Sequence, residues 1–322
     1  MIGAVTRLLL AALAALMVHG AGAQSYPSRP VKIVVPATPG GAIDLIARTL
    51  GEKMTGSFGQ PVVVENKPGA ANNLGTDFVA KSAPDGYTLL IIASSHATNK
   101  FLYKDLSYDP VKDFEPVVYT HVVPLLLAVH PSVPAKNVQE LTAWVKANPD
   151  KAVYASSGSG SSLHMAAELY MSMTGTKMQH VPYKGSSAAH PDLLAGRTAM
   201  IFDTITAVRG HVKAGTLRGI AVTTLKRSSS MPELPTIAES GLPGYDASTW
   251  GGILAPAGTP KEVVAKLNGA MNAVLKQDDV RTRLGGAGIE IQGGAPGEFA
   301  EVIKAEIDKW GRVVKEAGIQ PE

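Results

Sequence analysis

The stretch that decides the fold is VKIVVPATPGGAID, residues 31–44. Val31–Val35 is a short β-branched run that ends at Pro36, and such a run followed by a turn signal predicts a buried strand. A helical pattern follows from Asp44 to Met54. The segment therefore predicts a strand, a loop and a helix in succession, which is the opening of an α/β unit.

The loop of this unit has the composition of an anion-binding turn. Thr38, Pro39, Gly40 and Gly41 precede the helix, where unpaired backbone amides and the helix dipole favour a carboxylate or phosphate. A simple tight turn explains the glycine pair equally well. Asp44 falls in the first helical turn, where an acidic side chain can accept loop amides. We therefore expect Asp44 mainly to hold the loop and only secondarily to contact a ligand.

The same alternation continues along the chain. Short β-rich runs alternate with helical patterns at Val31–Val35, Asp44–Met54, Val62–Glu65, Leu74–Ala80 and Thr88–Ile92. Parallel strands need a crossover between them, so this βαβαβ order predicts a mostly parallel sheet with helices on both faces.

A second unit starts after Pro124. Its predicted strands lie at Leu125–Val129, Ala152–Ala155, Gln179–Pro182, Met200–Phe202 and Gly219–Thr223. We therefore predict an α/β protein of two lobes with a cleft between them. Residues 24–122 form the first part of lobe 1, residues 123–223 form lobe 2, and residues 224–322 return to lobe 1 with C-terminal helices.

Two helices have clear boundaries in the sequence. Val138–Ala147 has Asn137 as N-cap and Glu140 three residues later, which is a capping-box pattern. The last helix starts at Pro296 and carries an apolar stripe that predicts core packing. The stripe consists of Phe299, Ile303, Ile307, Trp310 and Val314.

Residues 1–23 have the layout of a secretory signal peptide. Arg7 precedes an apolar run over 8–18, and Ala21-Gly22-Ala23 provides the small residues that signal peptidase requires. The run is about half of the ~20 residues that span a bilayer, so an uncleaved anchor is the lesser alternative. No later run approaches that length. We expect cleavage after Ala23 and a mature periplasmic protein that begins at Gln24.

The composition excludes several classes of protein. The chain has 322 residues, with 30 Lys and Arg against 27 Asp and Glu, a net charge of +3. This charge is too small for the basic footprint of a nucleic-acid-binding protein. The chain has no cysteine, which removes disulfides, thiolate metal sites and cysteine nucleophiles. We expect no nucleic acid, metal or cofactor.

A second loop of lobe 1 also has the composition of a binding loop. It follows the predicted strand Thr88–Ile92 and contains Ser94, Ser95 and His96. Ligands of open α/β sheets bind at the carboxyl edge of the strands, where this loop lies. A solvated loop with a helix cap is the alternative.

Lobe 2 repeats this arrangement. Ser157, Ser159, Gly160 and Ser161 follow a predicted strand and begin a helix that carries His164. The loop is again rich in backbone amides at a helix start, and a capped surface loop is again the alternative. Because such loops occur in both lobes, we predict a shared site between them.

Two charged residues end later strands of lobe 2. Lys184 follows Gln179–Pro182, and Asp203 follows Met200–Phe202. Strand ends commonly line clefts, so Lys184 could steer an anion and Asp203 could receive an amino or hydroxyl group. A surface lysine and a helix N-cap aspartate explain these residues at least as well.

Catalysis has little support in the sequence. Serines, His164 and Asp203 are the residue types of a hydrolase triad, but no Gly-x-Ser-x-Gly elbow occurs. His164 and Glu168 lie four residues apart, yet no His-Glu-x-x-His motif is present. We therefore expect no catalytic residue and a binding protein, with a serine hydrolase as the remote alternative.

Several further motifs occur in a fixed order. They include Tyr26-Pro27, Val34-Val35-Pro36, Pro39-Gly40-Gly41, Val64-Glu65-Asn66, Pro68-Gly69-Ala70, Pro84-Asp85-Gly86-Tyr87, Tyr108-Asp109-Pro110, Tyr183-Lys184-Gly185 and Asp192-Leu193-Leu194-Ala195-Gly196. In this combination the chain resembles the Bug family, the extracytoplasmic solute-binding components of tripartite tricarboxylate transporters. The resemblance covers essentially the whole mature chain.

The resemblance implies a type II periplasmic-binding-protein fold that closes around a small carboxylate. Family members bind di- and tricarboxylates, acidic amino acids or aromatic acids, and deliver them to membrane permease subunits; a sensor kinase is the alternative partner. The loops Pro36–Asp44 and Ser156–Ser162 are implied to hold the carboxylates. We expect a monomer.

Three positions depart from the family pattern. Ala37 stands where an aromatic residue is usual, Ile43 stands where a small polar residue is usual, and His190-Pro191 disturbs the order before Asp192. The loss of an aromatic ring and a hydroxyl predicts a bulkier or less polar ligand than citrate.

Overall fold

The computed structural model describes residues 26–321, and the predicted signal peptide lies outside this range. The strands in this range are β1 (Val31–Val35), β2 (Val62–Asn66), β3 (Thr88–Ile91), β4 (Phe114–Val129), β5 (Val153–Ser156), β6 (Gln179–Pro182), β7 (Met200–Thr204), β8 (Arg218–Val222), β9 (Ser248–Pro256) and β10 (Glu290–Ile291). The α-helices are α1 (Ala42–Phe58), α2 (Asn73–Ala80), α3 (Ser95–Leu102), α4 (Val138–Ala147), α5 (Ser162–Thr174), α6 (Ser186–Leu194), α7 (Ile205–Lys213), α8 (Lys261–Leu275), α9 (Asp278–Gly286) and α10 (Pro296–Ala317).

The first sheet has the order β2-β1-β3-β9-β4, with β10 also paired to β4. β1 is parallel to β2 and β3, as the βαβαβ pattern predicts. β9 is antiparallel to both of its neighbours. Helices α1 and α8 cover this sheet with buried apolar side chains that include Ile46, Leu50, Leu267 and Met271.

The second sheet has the order β6-β5-β7-β4, and β8 pairs with β4 on its other side. β4 is a 16-residue strand that belongs to both sheets. Its residues 114–124 pair with β9, and its residues 125–129 pair with β7 and β8. The change of sheet falls between Pro124 and Leu125, so this strand joins the two halves of the molecule.

The predicted α/β class with mostly parallel sheets is confirmed, and the antiparallel pairs among the described strands all involve β4 or β9. α4 has its predicted bounds, and the Asn137 Oδ1 atom accepts the Glu140 N–H at 2.8 Å. α10 begins at Pro296, and its predicted stripe is buried. The lobe bounds at residues 122 and 223 remain a prediction.

No helix within residues 26–321 is long and apolar enough to span a bilayer. Helix α10 is the longest of the described helices, with 22 residues. It contacts α3, α5 and β4, so it packs on elements of both halves.

Candidate ligand-binding site

A cavity of about 300 Å³ lies between the two halves of the molecule. Its lining residues are all uncharged, and most of them have small or polar side chains. They are Ala71, Asn72, Ala93, Ser94, Ser95, Asn99, Leu102, Tyr103, Ser157, Ser159, Gly160, Ser161, Ser162, Thr249, Ile319 and Gln320. Six of these described residues are serines, and none carries a formal charge.

Two serines at the start of α3 form the wall on the first-sheet side. Ser94 is buried, and its Oγ atom lies 3.3 Å from the Thr249 Oγ1 atom. The Ser95 Oγ atom accepts a hydrogen bond from Asn72 Nδ2 at 2.8 Å. These contacts join three separate chain segments at one end of the cavity.

A strained turn supports this wall. Ala70, Ala71 and Asn72 have φ angles of 46°, 48° and 77°, and left-handed backbone at non-glycine residues costs of order 1–3 kcal/mol each. Asn99 stabilises the turn, because its Nδ2 atom donates to the Ala71 carbonyl at 2.8 Å and to Asn73 Oδ1 at 2.7 Å. Such strain persists only where the surrounding structure enforces it, and here it borders the cavity.

The loop between β5 and α5 forms the opposite wall. Gly158 and Gly160 have φ angles of +126° and +73°, which favour glycine. The Ser161 Oγ atom accepts the His164 N–H at 3.3 Å and caps α5. The Gly160 N–H donates to His164 Nδ1 at 2.9 Å. These two contacts with His164 fix the backbone of the loop on the side away from the cavity. Ser157, Ser159 and Ser161 of the same loop line the cavity.

Three stacked rings lie beneath this loop. The centroids of His164 and His180 are 4.2 Å apart, and those of His180 and Tyr154 are 4.8 Å apart. His164 Nδ1 accepts the Gly160 amide, so Nε2 carries the proton, and it faces Glu168 Oε1 at 3.2 Å. The Tyr154 hydroxyl also donates to Glu168 Oε1, at 2.8 Å.

His180 connects the stack to the start of the loop. Its Nε2 atom lies 2.6 Å from Ser156 Oγ, which also accepts the Gly158 N–H at 3.1 Å. Burial, and then the neighbouring His164, lower the pKa of His180 to about 4. His180 is therefore neutral near pH 7.

Six of the predicted site residues line the cavity. They are Ser94, Ser95, Ser157, Ser159, Gly160 and Ser161. The structure thus brings together the two serine-containing loops, one from each side, as their positions after strands predicted. Their contact with a ligand remains a prediction.

The glycine loop after β1 lies outside this cavity. Thr38, Pro39, Gly40 and Gly41 are exposed. Asp44 is buried, and its Oδ2 atom accepts the Gly40 N–H at 3.0 Å, which is the contact expected of a residue that holds the loop.

Two further residues complete the support of Asp44. Arg48 donates to both carboxylate oxygens at 2.9 Å, and Asn66 Nδ2 donates to Oδ1 at 2.9 Å. Burial alone would raise the pKa of Asp44, but the hydrogen bonds from Arg48, the Gly40 amide and Asn66 outweigh it and lower the pKa. Asp44 is therefore an ionised structural group in this loop.

The predicted histidines both lie behind the cavity. His96 is buried between Tyr108 and Phe114, and its Nε2 atom is 2.8 Å from the Pro110 carbonyl. Burial lowers the pKa of His96 to about 4. His164 supports the second loop from below, as described above. Their direct contact with a ligand remains a prediction.

The two predicted charged residues of the second half also lie away from this cavity. Lys184 is exposed. Asp203 is buried, and its Oδ2 atom lies 2.8 Å from His190 Nε2 while its Oδ1 atom accepts the Thr204 N–H at 2.7 Å. His190, which departs from the family pattern, is thus the partner of Asp203. A ligand contact of either charged residue remains a prediction.

Sequence reasoning missed several lining residues. Asn72 follows a glycine-containing turn, and Asn99 lies in helix α3 four residues after Ser95, so both had a local signal. No local sequence pattern indicated a binding role for Thr249, Ile319 or Gln320, because distant elements bring these residues to the cavity.

The electrostatics of the cavity come from dipoles rather than charges. α3 begins at Ser95 and α5 begins at Ser162, and both residues line the cavity. The first amides of an α-helix have no intrahelical acceptor, and the dipole places partial positive charge at this end. Two helix starts and six serine hydroxyl groups therefore favour a small anion.

A polar cavity between the two lobes of an α/β fold is the arrangement expected of a solute-binding protein. The chain belongs to the family described as tripartite tricarboxylate transporter family receptor, TctC, whose model matches residues 46–319. Members of this family are periplasmic solute receptors and not enzymes, which confirms the expected Bug-family membership and binding role.

Relatives and solved structures agree with this assignment. The chain is 38% identical over 298 residues to the protein BugT of Bordetella pertussis, covering 92% of this chain and 91% of BugT. It matches Rhodopseudomonas palustris Rpa4515 with adipate at 40% identity and TM-score 0.80, covering 92% of this chain and 100% of that chain. It matches MatC from the same organism, with bound malate, at 34% identity and TM-score 0.76, covering 90% and 100%.

Proposed function

We propose that this receptor binds a small carboxylate in the cavity between its lobes and delivers it to a membrane permease. The observation that carries the proposal is the convergence of two helix starts, at Ser95 and Ser162, on a cavity whose described lining has six serines and no charged side chain. Neutral donors and helix dipoles suit an anion that must be released again.

The energetics are adequate for this task. A hydrogen bond to a charged group contributes roughly 1.5 to 3 kcal/mol. Three or four such bonds, less the cost of association, give the ~8 kcal/mol that corresponds to micromolar affinity. Solved relatives with adipate and with malate support a carboxylate as the ligand class.

Calorimetric titration with mono-, di- and tricarboxylates tests the ligand class. The double variant Ser95→Ala and Ser159→Ala, with one change in each wall, should weaken binding by roughly tenfold or more. Ser82→Ala, at a half-buried serine that does not line the cavity, is the matched control. Binding of sugars or nucleotides but of no acid would overturn the carboxylate proposal, and turnover of an ester or amide would restore an enzymatic role.

Closure of the lobes is the second part of the proposal. The predicted contacts of Thr38, Pro39, Gly40 and Gly41 require these exposed residues to approach the ligand. A ligand that touches both lobes stabilises the closed form by its differential affinity. Small-angle scattering should therefore show a smaller radius of gyration at saturating ligand, and an unchanged radius would contradict closure.

Export and partner choice complete the proposal. Mass spectrometry of the protein from a periplasmic extract should give a chain that starts at Gln24, after loss of residues 1–23. Capture from detergent-solubilised membranes, with and without ligand, should retain permease subunits. Capture of a sensor kinase and never of a permease would instead support a signalling role. A monomer is expected, which sedimentation can check.

A further inference from the structure

The segment that follows α10 forms part of the cavity wall. Gly318, with φ +66°, ends the helix. The Ile319 N–H donates to the Val314 carbonyl at 3.1 Å, and the Gly318 N–H donates to the Lys315 carbonyl at 3.3 Å. These two bonds form a Schellman motif, which turns the chain back against its own helix. Ile319 and Gln320 are thereby held at the cavity.

Helix α10 is itself fixed on both halves of the molecule. Trp310 is buried, and its Nε1 atom donates to Glu306 Oε2 at 2.8 Å. On the α5 side, Ser172 Oγ donates to Glu316 Oε2 at 2.8 Å. On the α3 side, a methyl group added at Gly311 would lie 2.8 Å from the Phe101 ring, so the two helices are in close contact. The position of the wall therefore depends on packed structure.

Ile319 changes the chemistry of its part of the cavity. Ile319 is partly buried against the core, and Leu102 is the other large aliphatic residue of the lining. Gln320 donates from Nε2 to the Gly318 carbonyl at 3.2 Å, which holds its amide close to the turn. The remaining lining is largely hydroxyl, amide or alanine. The cavity thus combines an anion-binding surface with a branched apolar surface.

We infer that Ile319 is a specificity-determining residue, which selects carboxylates with an unsubstituted carbon chain or ring over hydroxylated analogues. A ligand hydroxyl placed against Ile319 loses water and gains no hydrogen-bond partner, whereas a methylene group gains contact. The inference rests on the proposed carboxylate-binding function.

Two pairs of acids that differ by one hydroxyl group test the inference. They are succinate with malate, and phenylacetate with mandelate. Calorimetry gives the ratio of dissociation constants within each pair for the wild type and for Ile319→Ser. The wild type should prefer the acid without the hydroxyl, and Ile319→Ser should reduce that preference by roughly tenfold. Ala317→Ser, which introduces the same hydroxyl at the exposed last residue of α10, two residues before Ile319, should leave the ratio unchanged.

The outcomes distinguish a failure of the Ile319 inference from a failure of the proposed carboxylate-binding function. If the wild type binds these acids and Ile319→Ser has the same ratio of dissociation constants as the wild type, the role of Ile319 is overturned. The carboxylate function then still stands. Failure of the wild type to bind any of the four acids, or any other carboxylate, overturns the function and the inference together. Gln320→Ala tests the neighbouring residue, and a larger change of ratio there would transfer the role to Gln320.

Discussion

The loops Pro36–Asp44 and Ser156–Ser162 occupy similar positions in the fold but differ in the contacts that hold them and in their place relative to the cavity. Each follows a strand and precedes a helix, and each contains a glycine at positive φ. In the first loop, residues 38–41 are exposed, and the loop is held by the ionised pair of Asp44 and Arg48. The second lines the cavity and is held by stacked rings below it. Loops of similar composition are thus held by different contacts, and only the second lines the cavity in this structure.

The largest expected effect compares one glycine in each loop. A Cβ atom added at Gly160 would lie 2.3 Å from Leu102 Cδ1, whereas one added at Gly40 would meet nothing within 4 Å. Both residues have positive φ, so both alanine variants carry backbone strain. Gly160→Ala should lower carboxylate affinity by roughly tenfold or more, because overpacking displaces the wall. Equal losses of carboxylate affinity in Gly160→Ala and Gly40→Ala, measured by calorimetry, would show that the two loops do not differ in their contribution to binding.

A smaller effect is expected when the ring stack loses its hydrogen bonds. His164→Phe keeps a ring in place but leaves the Gly160 amide without its acceptor and Glu168 with Tyr154 as its remaining donor, which costs about 1–3 kcal/mol of stability. Carboxylate affinity should fall severalfold. His190→Phe is the matched control, since His190 also pairs with a buried carboxylate but lies away from the cavity. Thermal unfolding and calorimetry should show that both variants lose stability and only His164→Phe loses affinity.

The two loops should also respond to acid in different ranges. The pKa of His180 falls from 6.5 to about 4 on folding, so the unfolded chain binds more protons between these values. Its contribution to stability is complete above pH 6.5 and is lost as the pH falls to about 4. Chemical unfolding across this range should show a loss of stability on acidification that is smaller by roughly 1–2 kcal/mol in His180→Phe than in the wild type.

Two other buried histidines also make the stability of the protein depend on pH. Burial also lowers the pKa of His96 and His121, to about 4 and about 3. Some acid sensitivity should therefore survive in His180→Phe. If the free energy of unfolding of His180→Phe depended on pH as that of the wild type does, the ring stack would not contribute to the acid sensitivity.

The smallest expected effect concerns Asp44. Because its pKa lies below the ordinary 3.8, its contribution to stability is complete above that value and is lost only at lower pH. Asp44→Asn should keep the fold and weaken binding by less than about threefold, through a looser loop. Tenfold tighter binding of a dicarboxylate by Asp44→Asn would show that the charge repels the ligand.

Local signals account for what the sequence predicted. β1, β6 and α4 have the predicted bounds, since β-branched runs, turn residues and the Asn137 cap act within a few residues. The serine loops were found because they directly follow strands. β9 was not predicted, and β4 begins at Phe114 rather than Leu125. Prolines 116 and 124 interrupt the run, and a strand containing proline is normally assigned to an edge.

The rest of the site depends on contacts between distant residues. Thr249 reaches Ser94 only because β9 pairs with β3, and Ile319 reaches the cavity only because α10 packs across both halves. The glycine loop has the composition of an anion cradle, but composition alone does not show that it stays exposed. These features follow from tertiary packing, which no short window of sequence contains.

The pairing of β3 with β9 also has a consequence for how the chain folds. Leu90 pairs with Leu254, and all strands of the second sheet, including β4, are made by residues that lie between them. During synthesis, β3 emerges long before its partner, and contacts of such high sequence separation form slowly. The second half can complete its own sheet while the first still exposes an unpaired strand edge, which is the kind of surface that aggregates. The late arrival of β9 is therefore the step at which assistance from a chaperone would matter most.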